Sequence, residues 1–324
     1  MTRGRANLLL LLAAALWGGG NVCQKTVLEH LDPTAAVALR CLVAALVVVP
    51  LAAMERRGPA TGWTASLVRV TLCFAAAMTI QQAAYRDASV TNASFLINTA
   101  TVMTPLAAWL LLRERPGAPL LLAALLTLAG AFLMSGGRGG IGPGDRAVLL
   151  SAAFYALWTV ELGRHVQAHG RPVTTAAVQF AATAGLLLPV AAVRGDMDWT
   201  AIRAAAPDLV VLGVLATGVA FALQAAAQCH TSASHAAVLV SAESIFGATA
   251  AALVLGERLA LPAGIGAALI VAAILFVARL QPAPRPRHVP DPTLEPPSVP
   301  TCEGPAGLPA GPDASSRMIR PIRP

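Results

Sequence analysis

QQAAYRDASVTNASFLINTATVMTPLAAWLLLRERPGAPLL, residues Gln81 to Leu121, recurs without a gap 143 positions later as QAAAQCHTSASHAAVLVSAESIFGATAAALVLGERLALPAG, residues Gln224 to Gly264. The register pairs Gln81 with Gln224, Ser89 with Ser232, Leu96 with Leu239, Glu114-Arg115 with Glu257-Arg258 and Pro119 with Pro262. Long apolar runs broken by single polar residues, and duplicated within one chain, are a signature of secondary transporters whose two halves enclose a site near the bilayer midplane.

Composition sets the solvent. With 56% apolar residues, 12% charged residues and a mean hydropathy of +0.67, the chain departs from soluble domains, which carry about 25% charged side chains. The net charge of +7 comes from arginines placed singly or in pairs between apolar runs, so no basic patch for nucleic acid is formed. Five cysteines without CxxC or ligand-like spacing argue against a disulfide framework or a zinc site, and no cofactor or metal is expected. The absence of GxxxxGK[ST], HExxH and GxSxG speaks against a nucleotide-driven pump, an intramembrane metalloprotease and a lipase, so the chain is not expected to be an enzyme.

A bilayer crossing needs about 20 apolar residues. Ten runs qualify: Asn7–Leu28, Pro33–Met54, Ser66–Arg86, Thr91–Leu112, Ala118–Ser135, Arg146–Val166, Val173–Val193, Pro207–Gln228, Ser232–Leu255 and Leu261–Leu280. The expected fold is all-α and integral to the membrane, with two five-helix repeats over residues 1–136 and 144–280 joined by the glycine-rich stretch Gly136–Gly144. An odd number of spans per half inverts the second half relative to the first. The charged start and apolar run at the N-terminus could also be a cleaved signal, but the reading adopted is an uncleaved first span. Residues 281–324 are proline-rich, lack apolar periodicity and read as a disordered cytoplasmic tail. With the N-terminus inside, the inner segments hold twelve arginines and the outer segments seven cations, so both termini are expected in the cytoplasm.

Polar residues line up on helix faces. Trp17, Asn21 and Gln24 share a face of the first span; Phe74, Met78, Gln81 and Tyr85 share one in the third; Ser94, Asn98, Thr101, Pro105 and Trp109 run along the fourth. Tyr155, Trp158 and Glu161 fall on adjoining edges of the sixth, and Thr217, Phe221, Gln224 and Gln228 on one face of the eighth. Such faces are costly against lipid and must point inward, as helix-to-helix glue or as the wall of a wet cavity. Aromatics interleaved with the amides favour the cavity. Two ionisable groups lie well inside spans, Arg40 in the second and Glu243 in the ninth, with Gln179 at the depth of Arg40 in the other repeat. They are either functional groups, a structural ion pair with each other or, for Arg40, a side chain reaching toward the outer headgroups. Glu161 lies nearer the inner surface, as a second candidate proton carrier or an ordinary interfacial acid. Gly18-Gly19-Gly20, Gly213 and Gly218 read as packing sites.

ALWGGGNVCQK in the first span, Arg40 after PTAAVAL in the second, GLLLP in the seventh, ATG with Gln224 in the eighth and AES…GERL in the ninth resemble the EamA-type ten-span exporters of the drug/metabolite transporter superfamily. Where those exporters carry proline thirteen residues before each span-terminal glutamate, this chain has Thr101 and Ser244, with Pro105 one turn later in the first half alone. The resemblance implies export of a small metabolite, amino acid or drug by alternating access in the cytoplasmic membrane of a bacterium, commonly driven by an ion gradient. The expected substrate contacts are Trp17, Arg40, Gln81, Tyr85, Asn98, Trp158, Gln179 and Gln224, with Glu243 and Glu161 as candidates for proton coupling. The expected partners are a small-molecule substrate, the lipid bilayer and protons, with a homodimer left open and nucleic acid excluded. A non-transporting membrane sensor or scaffold is the alternative.

Overall fold

The computed structural model describes residues 1–55, 63–88, 90–113, 115–135, 142–255 and 261–279. Among them there are helices and turns and no strands. The first half contributes α1 (Arg3–Thr26), α2 (Pro33–Ala53), α3 (Trp63–Ala84), α4 (Val90–Ile97), α5 (Ala100–Leu112) and α6 (Ala118–Met134). The second contributes α7 (Pro143–His169), α8 (Pro172–Arg194), two short helices α9 (Trp199–Ala204) and α10 (Ala206–Val210), a π-helical segment Val211–Val219, and then α11 (Ala220–Gln228), α12 (Ala233–Val240), α13 (Glu243–Leu255) and α14 (Leu261–Arg279).

Seven helical stretches among the described residues are long and apolar enough to cross a bilayer. The other three expected runs depart from that pattern for separate reasons. α6 is a 17-residue apolar helix. α7 has 27 residues and spans about 40 Å, but carries Asp145, Arg146, Glu161 and Arg164. The ninth run is not one helix: it stops at Val240 and restarts at Glu243. The tail from 281 on, the span-end residues Glu114, Glu257 and Arg258, Ser89 and most of the glycine-rich joint lie outside the described residues.

The halves interlock rather than stand side by side. α2 packs along α8, α3 along α7, α6 along α14, and α1 against α11, α13 and the π segment. Each of these contacts joins one half to the other. Glycines set the closest approaches. A Cβ at Gly18 would stand 2.6 Å from the Gly247 nitrogen and 2.7 Å from the Glu243 oxygen, and one at Gly130 would stand 2.5 Å from the Gly266 oxygen. Gly213 is pressed on Val43 and Gly20 on Ala216, as the sequence suggested, whereas Gly19 meets nothing within 4 Å.

Outward faces are apolar: Leu8, Leu46, Leu72, Leu110, Leu186 and Val193 are exposed, as suits a hydrocarbon surround. Inside, Phe74, Trp158, Phe180 and Phe221 form an aromatic centre with ring separations of 5.0 to 6.4 Å. Helix ends are satisfied across the halves too. The Glu55 carboxylate, just past α2, accepts from the Val173 and Thr174 amides at 3.0 and 2.7 Å, and so caps the N-terminus of α8.

Candidate functional site

The duplicated stretch breaks its helix at the same place in both copies. α4 ends at Ile97 and α5 starts at Ala100; α12 ends at Val240 and α13 starts at Glu243. Asn98-Thr99 and Ser241-Ala242 are repeat equivalents, so each half carries one discontinuous helix, although neither has a proline there. Side chains drawn back onto their own helix account for it. Asn98 Nδ2 donates to the Ser94 carbonyl at 2.7 Å, the Thr99 hydroxyl to the Leu96 carbonyl at 2.6 Å, and the Ser241 hydroxyl to the Val238 carbonyl. The backbone tightens into three-residue turns, with Asn98 N to Phe95 O at 3.1 Å and Ala242 N to Leu239 O at 3.3 Å.

The two breaks touch. Asn98 Nδ2 also donates to the Ser244 hydroxyl at 2.7 Å, and the Thr101 hydroxyl reaches the Ala237 carbonyl at 3.4 Å. Beside this contact lies a hollow of about 90 Å³ walled from both halves. Trp17, Gln24, Arg40, Gln81, Asn98, Thr101 and Thr104 face it from the first half; Tyr155, Trp158, Thr159, Phe221, Gln224, Ser241 and Glu243 face it from the second.

Of the ten residues singled out from the sequence, seven meet on this hollow: Trp17, Arg40, Gln81, Asn98, Trp158, Gln224 and Glu243. Three do not. Tyr85 is 1% exposed and packed with Ala84, Ala88 and Val148, behind the lining of the hollow but near enough to feel Arg40 and Glu243. Gln179 sits behind Trp158 and accepts from its indole Nε1 at 2.8 Å. Glu161 is held by Arg69 at 3.0 Å and Arg164 at 3.9 Å, an interfacial ion cluster. Tyr85 follows Ala84, the last residue of α3, so the face that carries Gln81 to the hollow does not carry Tyr85 onto its wall. On α5 the face runs past the break to Thr101 and is gone by Trp109, which is half exposed on the outside. Gln24, Thr159, Phe221 and Ser241 line the hollow without having been named as contacts; Gln24 and Phe221 stood on the polar stripes, which was the available signal.

Arg40 and Glu243 are not an ion pair. Arg40, 3% exposed, donates Nε to the Thr217 hydroxyl at 3.0 Å and Nη1 to the Gln24 and Gln82 amide oxygens at 3.3 and 3.4 Å. Among the described residues no carboxylate lies within ion-pair distance of it. Thr217 belongs to the π-helical segment, whose extra residue per turn is a feature often found at functional positions. Trp17 fixes the same segment by donating Nε1 to the Ala216 carbonyl at 2.8 Å. Glu243, the first residue of α13, accepts from Asn21 Nδ2 at 2.8 Å. Tyr155 donates its hydroxyl to Gln81 Oε1 at 2.9 Å and closes the amide-rich side. The site therefore offers one cation without an anionic partner, one carboxylate, amides and an aromatic wall. No group of three or more metal-binding side chains occurs among the described residues.

Comparison with known proteins agrees with this arrangement. The chain is 27% identical over 276 residues to an uncharacterized transporter of Archaeoglobus fulgidus, covering 84% of this chain and 85% of the relative. It is 25% identical to the uncharacterized transporter YwfM of Bacillus subtilis, covering 84% and 93%. A solved crystal structure superposes with a TM-score of 0.71 at 19% identity, over 85% of this chain and 96% of that one, a likeness of fold. The description "EamA-like transporter family" matches residues 4–136 and 142–279. A multi-pass membrane protein of the drug/metabolite transporter superfamily, the chain belongs to the EamA-like transporter family.

Proposed function

We propose that the protein is a ten-span secondary transporter that exports a small, carboxylate-bearing solute across the cytoplasmic membrane by alternating access, with both termini in the cytoplasm and Glu243 as the proton-coupling group. The observation that carries this reading is Arg40: a buried guanidinium on a cavity wall whose hydrogen bonds go to neutral oxygens. A cation held away from water costs several kcal/mol when no anion compensates it, and an incoming carboxylate supplies that anion in a bidentate geometry suited to guanidinium. Trp17, Gln81, Asn98, Trp158 and Gln224 complete the solute's surroundings.

The hollow is well below the roughly 300–1,000 Å³ of drug-sized clefts. A metabolite fits only when the halves part, and the interlocked helix pairs supply the surfaces on which two inverted repeats rock. The test is flux in proteoliposomes over a panel of carboxylates, amino acids and cationic drugs, with and without a pH gradient. Wild-type protein moves a carboxylate faster with the gradient, and Glu243→Gln removes that stimulation at equal expression. An unchanged response in Glu243→Gln ends the coupling role, and zero flux for the whole panel leaves a sensor or scaffold as the better reading.

A further inference from the structure

Between the two intramembrane charges runs an unbroken line of amides. Arg40 Nη1 donates to Gln24 Oε1 at 3.3 Å, Gln24 Nε2 donates to Asn21 Oδ1 at 2.9 Å, and Asn21 Nδ2 donates to Glu243 Oε1 at 2.8 Å. Every donor points the same way, from the guanidinium to the carboxylate. Gln24 and Asn21 are buried, at 6% and 4% exposure. Aligned amide dipoles in a low-dielectric interior polarise one another, and the arrangement favours a positive charge at one end together with a negative charge at the other.

We propose that Gln24 and Asn21 are positioning residues that couple the occupancy of Arg40 to the protonation of Glu243, so that a solute anion and a proton load together and leave the cytoplasm together, export running down the solute's own gradient. The inference rests on the cavity being the transport site and specifies how that site is regulated. An anion on Arg40 draws away its donors and cancels its charge. The line then no longer stabilises the Glu243 carboxylate, which takes a proton from the bathing solution. By reciprocity, protonating Glu243 strengthens anion binding by the same factor. The other ionisable groups that sense Glu243 are Tyr85, just past α3, and Tyr155 on α7, and both sense Arg40 as well. Of the remaining elements packed on α12 and α13, α5, α6 and α11 carry no ionisable side chain and α14 only Arg279 in its last turn; the charged groups of α1 and α7 lie toward the helix ends, and α12 itself carries His235 in its first turn. The amide line is the hydrogen-bonded connection between the two charges, beside whatever passes through space or by the tyrosines.

The experiment is an infrared pH titration of the protonated-carboxyl stretch in full-length protein in nanodiscs, with the band of Glu243 identified by its loss in Glu243→Gln. Arg40→Gln stands in for neutralisation by a solute anion and raises the Glu243 midpoint by about one pH unit or more. Gln24→Met, at a residue with no hydrogen bond to Glu243, raises it as well, and Arg40→Gln adds little in that background. Gln24→Asn, which keeps the amide but shortens its reach, gives the same result if the Met variant does not fold. Equal Arg40→Gln shifts with and without the Gln24 amide would mean that the charges interact through space, and the proposal would be overturned. The titration reads the relay whether or not a solute is carried, so its failure is distinct from a failure of flux.

Discussion

At the scale of single residues, the chain states its helix starts more openly than its contacts. Asp32 before Pro33 is a helix start in sequence, and the carboxylate accepts from the Thr34 amide at 2.8 Å and pairs with Arg86 at 2.6 Å. Partial burial pushes the Asp32 carboxyl up, but the Thr34 and Arg86 hydrogen bonds outweigh it and hold the group below its ordinary value. A carboxyl so lowered stabilises the fold above the ordinary carboxylate range and loses that contribution as pH falls through its folded value. Asp32→Ala therefore lowers stability by about 1 kcal/mol at neutral pH. Asp32→Asn keeps the cap and removes the acid dependence, so thermal unfolding of the two variants in detergent across the acid range separates cap from charge. Arg40 and Glu243 were equally visible as charges inside apolar runs, whereas their partners were not. The Gln24–Asn21 bridge depends on α1 lying along α13 and on the Arg40 side chain reaching α1 from α2, and nothing local in α1 announces either.

At the scale of elements, sequence periodicity located the helices and failed where side chains compete with the backbone. Residues 98–99 and 241–242 contain no proline or glycine, so a run count passes straight through them. The break comes from Asn98, Thr99 and Ser241 bonding back to carbonyls three or four residues earlier, a signal carried by NTAT and SAES as clusters of residues weak in helix interiors. The break also puts Glu243 at the start of α13, where a helix N-terminus favours negative charge. Its place is held by glycine. With backbone atoms at 2.6 and 2.7 Å from a Cβ at Gly18, Gly18→Ala forces α1 off α13 and costs on the order of 1–3 kcal/mol. Gly19→Ala, with open space around it, is neutral to slightly stabilising. A difference in unfolding temperature between these adjacent substitutions checks the contact, and equal temperatures would contradict it.

At the scale of the whole molecule, the proposed alternating access requires interlocked repeats to exchange contacts at one end for contacts at the other. One end is fastened across the halves by Glu55 on the start of α8, by Ser66 Oγ with His165 Nδ1 at 2.7 Å and by Arg69 with Glu161 at 3.0 Å. The other end is held across the halves by the Thr26 hydroxyl on Asp208 at 2.7 Å and Arg194 on Thr34 at 3.4 Å. The Glu55 fastening is the stiffest of these, since one carboxylate satisfies two orphan amides and the Thr174 hydroxyl, the last at 2.8 Å. Glu55→Ala leaves the N-terminus of α8 uncapped, a loss of about 1–2 kcal/mol borne only by the form closed at that end. A change of that size in a two-state equilibrium moves its ratio by roughly five- to thirtyfold. In a background stripped of native cysteines, a cysteine in place of Ser241 on the cavity wall should then react faster with a small hydrophilic thiol reagent when Glu55 is alanine. Thr26→Val, which unfastens the opposite end, should change the rate through that other opening. If neither substitution alters the labelling rate, the end contacts do not govern access to the hollow, and rocking about the α2–α8 pair is not how the cavity opens.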